Sequence, residues 1–209
     1  MDDSQWLPIS DEQAKAVQEV AKLLSGVGSF FKEALGSVPQ DLVGYLGGDW
    51  LRLRRVENIA KMLDRTRQRL AATGVTDTEP ASLTLALPIL RGAADESREE
   101  LLDLWARLMA AALDPAKAGR VRQGYAEAIS KMDPMDTLVL TFFKDNTFQD
   151  VTGSDRQYTA HRCSDSLGIS VTELGASVWN LTNLGLVEKV GFTTRATAFG
   201  HEFLRVVVD

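Results

Sequence analysis

Residues 168–207 read GISVTELGASVWNLTNLGLVEKVGFTTRATAFGHEFLRVV, and their pattern changes twice along the way. From Ser170 to Leu184 the apolar positions Val171, Leu174, Val178, Leu181 and Leu184 recur at steps of three and four, the period of an amphipathic helix. Leu186–Val190 and Thr193–Thr197 are two strand-like runs about a tight Gly191-Phe192 turn, the signature of a hairpin. Ala198–Val207 returns to helical spacing. Met135–Lys144 and Asp155–Gly168 supply two helices upstream, with Gly168 in the turn before the third. Helix, helix, helix, hairpin is the order of a winged helix-turn-helix.

Working toward the N-terminus, Asp133-Pro134 marks a boundary, because a proline pushes the preceding residue out of helical geometry. Before it, Trp50–Ala72 places Leu53, Val56, Ile59, Ala60, Leu63 and Leu70 on one face, with Gly74 ending the helix. Leu83–Arg91 is a short apolar helix whose first turn precedes or begins at Pro88. Ser97 with Glu100 reads as a capping box for a helix that Asp114-Pro115 closes, its apolar face including Leu101, Leu104, Trp105 and Leu108. Arg120–Met132 adds another helix. Residues 10–35 form an amphipathic pattern weakened by Gly26 and Gly28, which makes the N-terminal part an arm. The expectation is a mainly α fold in three parts. Residues 1–49 are the amphipathic helical arm, 50–132 a multi-helix core, and 133–209 a winged-helix-like module with a short β-hairpin. Trp105, Leu108, Phe199 and Phe203 are expected in the structural core.

The chain has 209 residues with 23 Lys+Arg against 29 Asp+Glu, a formal charge of −6. Residues 50–72 run against this, with seven bases and two acids. Arg54, Lys61, Arg65 and Arg69 make a stripe that can meet an anionic partner: acidic lipid headgroups, nucleic-acid phosphates or an acidic protein helix. The same stripe can instead be a solvated face paired with the acids around Asp95–Asp103. From Pro134 to Asp209 six bases face nine acids, and Val171–Leu184 carries Glu173 and no base. Phosphate neutralisation drives DNA affinity, so DNA is a disfavoured partner. Asn180 and Asn183 alone argue for base reading there.

Reaction chemistry finds little to work with. Two histidines, His161 and His201, and one cysteine are too few for a nitrogen–sulfur metal site, and no cofactor is expected. Phosphate-loop, nucleophile-elbow and His-Glu-x-x-His motifs are missing from the sequence. Cys163 beside Arg162 reads either as an activated thiol or as a small buried apolar residue. The acidic start Met1-Asp2-Asp3 is unlike an export signal, and the longest uncharged apolar stretches, Leu23–Phe31 and Pro80–Leu90, fall short of the ~20 residues that span a bilayer.

Several runs resemble the abortive infection alpha family, bacterial proteins linked to phage defence. They are Arg55-Val56-Glu57-Asn58-Ile59, Leu87-Pro88-Ile89-Leu90, Leu104-Trp105-Ala106-Arg107-Leu108-Met109-Ala110 with Asp114-Pro115, Ile129–Asp136, Leu184-Gly185-Leu186-Val187, and Thr197–Phe203. The resemblance implies a role in antiviral defence and carries no catalytic residues with it. The residues and the resemblance together lead us to expect a non-enzymatic defence component acting through protein–protein contacts, with a protein partner or a second copy. A phage component or a membrane surface is the other candidate partner. The alternative is a membrane-acting effector using Phe30, Phe31 and Leu35 of the arm, with the basic stripe near anionic lipids. A winged-helix DNA-binding regulator is the weaker alternative. The expected location is the cytoplasm, with peripheral membrane attachment under the effector reading.

Overall fold

A computed structural model describes residues 49–145, 163–190 and 193–208. The N-terminal arm with Phe30, Phe31 and Leu35, His161, the Gly191-Phe192 turn and the first part of the Asp155–Gly168 helix lie outside the described residues.

The first helix among the described residues, α1 (Asp49–Ala72), buries Val56, Ile59, Ala60, Leu63 and Leu70, the stripe read from its periodicity. Thr66 falls on that stripe and is fully buried, its hydroxyl 2.9 Å from the Met62 carbonyl and 3.2 Å from that of Ala106. The second helix, α2 (Leu83–Ala94), starts a full turn before Pro88 and runs three residues past Arg91. The third, α3 (Glu99–Leu113), begins differently from expectation. Ser97 is exposed and makes no cap; the N-cap residue is Arg98, no side chain caps the first turn, and the buried Glu96 carboxylate accepts the Arg98 N–H at 2.8 Å. Ion pairs of constant offset, Arg65 with Glu99 and Arg69 with Asp103, show that α1 and α3 lie side by side in the same sense.

The expected Arg120–Met132 helix is split into a 3₁₀ turn, Ala118–Arg120, and α4 (Gln123–Ile129). Val121 between them is extended and buried, and that inward turn is what interrupts the helix. Beyond come α5 (Pro134–Asp145), a helical segment at 163–167, and α6 (Val171–Asn183). The turn into α6 has Gly168 at φ +67°, a left-handed conformation that side chains disfavour. A capping box of Ser170 and Glu173 opens α6. Strands β1 (Val187–Val190) and β2 (Thr193–Ala196) pair antiparallel, with Glu188 directly opposite Arg195 and bonded to it at 2.9 Å. The last helix, α7 (Ala198–Val207), has the bounds its spacing predicted. The fold is therefore mainly helical with one small hairpin, an order compatible with the winged-helix reading.

One hydrophobic cluster joins α1–α5 to α6, β1, β2 and α7. Trp105, Leu108 and Phe203 are buried within it. Phe199 corrects the expectation: it is 36% exposed and sits at the rim, its ring 5.2 Å from that of Tyr125. Position 199 opens α7 on the solvent side, while Phe203 one turn later points inward and meets Tyr125 edge-on at 5.5 Å. The start of α7 is held against the segment before β1. Thr197 donates its N–H to the Leu186 carbonyl at 3.0 Å and its hydroxyl to that of Gly185 at 2.6 Å. Gly200 packs so closely there that a Cβ would stand 1.9 Å from the Leu186 oxygen.

Candidate functional site

Among the described residues three surfaces qualify as sites: the basic face of α1, a cleft beside Trp105, and the outer face of α6.

The basic face is occupied from within. Arg54 and Lys61 both reach Glu57, at 3.7 and 3.2 Å. Arg55 meets Asp95 at 2.6 Å, and Arg65 meets Glu99. Arg69 shares Asp103 with Arg107, whose Nε lies 2.8 Å from it. Burial would raise the Asp103 pKa, but hydrogen bonds from Arg107 and Arg69 and their positive charges outweigh it and hold the carboxyl below its ordinary range. Paired cations project a weaker field than the sequence count implies, and solvent-exposed pairs of this kind contribute only about 0–1 kcal/mol each.

At the far end of this face the C-termini of α1, α3 and α7 converge on a small pocket lined by Arg69, Arg107 and Lys117. Each helix end carries the equivalent of about half a negative charge, so bases gathered there act as counter-charges. Arg107 also donates to the Val208 carbonyl at 3.0 Å, joining α3 to the end of α7.

A cleft of about 360 Å³ opens between α2, α3 and α4, with Trp105 in its wall. Its lining includes Gly92, Arg98, Glu127 and Ser130. Arg98 is committed, bonding Glu96 at 2.9 Å and Asp133 at 2.7 Å.

The outer face of α6 has a different character. Leu174, Ser177 and Leu181 turn inward, leaving Thr172, Ala176, Trp179 and Asn183 exposed in one stripe at steps of four, three and four. Trp179 is 70% exposed, the largest apolar side chain so placed among the described residues. No charge lies in the stripe. Asn180, one of two residues that argued for DNA, is spent inside the protein: its amide donates to the Lys131 carbonyl at 3.0 Å and to the buried Asp136 at 2.7 Å. Trp179 was missed in the sequence because a tryptophan within a periodic apolar helix reads as core; its phase, out of step with Leu174 and Leu181, was the available signal.

Of the candidate reactive groups, Cys163 is buried and its thiol is pushed up to about 11 by burial, which keeps it protonated at neutral pH. His201 is exposed on α7. Among the described residues no group of His, Cys, Asp and Glu is arranged to hold a metal ion, and no helix is long and apolar enough to cross a membrane.

A family model described as abortive infection alpha matches residues 54–199, from the basic face of α1 to the first turn of α7. No curated protein and no solved structure matches the chain.

Proposed function

This chain belongs to the abortive infection alpha family, and from that premise we propose that it is a component of abortive-infection defence that works by binding a protein partner, without catalysing a reaction. The family supports the defence role. The observation that carries the binding role is the α6 stripe, a large aromatic held 70% exposed on an uncharged helix face. Exposing a tryptophan to water costs the burial energy that a partner would return, and aromatic anchors of this kind dominate protein interfaces. Small residues beside it, Ala176 and Thr172, leave room for a partner helix to approach. DNA fits this face poorly, since it presents no base to phosphates and Asn180 is engaged.

The test is phage challenge of cells carrying wild type, Trp179→Ala or Trp179→Glu, with a photo-crosslinker placed at position 176. The expected result is loss of protection in both variants with the thermal midpoint unchanged, and a crosslink to a discrete protein that Trp179→Glu abolishes. Full protection by Trp179→Glu would refute the reading. So would a protective protein that crosslinks to nothing.

A further inference from the structure

Gly175 has no reason to be glycine within the fold of one copy. It lies inside α6, where glycine costs about 1 kcal/mol against alanine, and a Cβ there would meet nothing within 4 Å. Gly92 and Gly200 differ, since their missing side chains make room for the Trp105 ring and the Leu186 carbonyl. Gly175 is exposed one turn before Trp179, on the face that also presents Thr172, Ala176, Thr182 and Asn183. One helix face thus carries a large ring and, four positions away, a gap over bare backbone. Backbone left open in this way admits the close approach of another molecule.

Two copies of α6 laid antiparallel about a two-fold axis level with Ser177 put each Trp179 over the other's Gly175, because 175 and 179 are equidistant from 177. Thr172 then stands opposite Thr182 of the second copy. The face is uncharged, so two copies that each carry −6 meet there without like charges in contact. The stripe is small against the roughly 20–30 residues a side of a standard interface. A foreign partner would cover one exposed ring of roughly 150 Å², whereas pairing with its own copy covers two. We infer that the α6 stripe binds a second copy of this chain, ring into gap, in a weak two-fold dimer. The inference takes from the proposed function that the stripe binds protein, and adds what it binds.

The experiment is sedimentation equilibrium of the full chain up to about 200 μM, a range that captures a micromolar dissociation constant. A monomer–dimer equilibrium is expected, and added salt should tighten it by screening the like net charges. Trp179→Ala should weaken it about thirty-fold or more, the scale of an interface anchor. Gly175→Leu separates fit from stickiness. It adds apolar surface and helix propensity, so the thermal midpoint of the dilute monomer should rise, while the filled gap should weaken the dimer. Thr172→Cys mixed with Thr182→Cys should give a product of a short thiol crosslinker that neither variant gives alone, since like positions stand about 15 Å apart along the axis. The native Cys163 is buried. A chain monomeric throughout the range would overturn the inference, and so would a dimer that Gly175→Leu strengthens or that salt dissociates. A monomeric chain whose position 176 crosslinks to a different protein would overturn it too, while leaving the binding role in defence intact. A dimer behaving as expected, with full protection by Trp179→Glu, would do the reverse.

Discussion

Replacing Trp105 by alanine would empty the junction of α2 and α3, and losses of this kind in a core run to about 3–5 kcal/mol. Denaturant unfolding should register that drop, whereas Trp179→Ala should leave the midpoint nearly unmoved because its ring is already in water. The two tryptophans thus separate stability from the proposed binding. Asp103 gives a prediction with pH. Its carboxyl pKa is lowered in the folded protein from an ordinary 3.8, so its contribution is fully present above about pH 4 and disappears as pH falls toward the folded value. Asp103→Asn should therefore destabilise the protein at pH 7, and the gap between variant and wild type should narrow in urea titrations carried from pH 5 down to pH 3. Cys163, with its thiol raised to about 11, should react with thiol reagents at neutral pH only as fast as the protein opens.

Ser170 is the best-defined cap among the described helices, accepting the Glu173 N–H while Glu173 answers the Ser170 N–H at 2.7 Å. Ser170→Ala should cost about 1 kcal/mol, and amide exchange should quicken first in the opening turn of α6. Elements whose termini carry such local chemistry were readable beforehand. Residues 170–184 and 198–207 show period and punctuation together, and their helices fall where the spacing puts them. Reading failed where a tertiary contact outweighed a local motif. Ser97 and Glu100 match a capping box, yet the helix starts one residue later at Arg98 without a side-chain cap, where the buried Glu96 binds the Arg98 N–H. Val121 breaks a helical run because the core claims its side chain. The sites follow the same logic. The acids that neutralise the α1 stripe lie 34 to 40 positions away for Arg55, Arg65 and Arg69, and a sequence count of charge cannot say which of them meet.

The helices before and after Asp133 share one core, with Tyr125 of α4 between Phe199 and Phe203 of α7 and Arg107 of α3 bonded to the Val208 carbonyl. Removing residues 198–209 should therefore unfold the region around Trp105 as well as the hairpin, and the shortened chain should lose its near-ultraviolet dichroism rather than a fraction of it. The joint of β-hairpin and last helix has one more implication, for the space of tolerated variants. Backbone oxygen, unlike a side chain, cannot rotate out of the way, so the 1.9 Å approach at position 200 leaves no room even for a methyl group. A library randomised at that codon and selected for soluble product should return glycine alone. Its neighbour His201, exposed, should drift freely. That contrast between adjacent codons would be a fingerprint of this joint, distinguishing chains that truly build it from those that share only its succession of helices and strands.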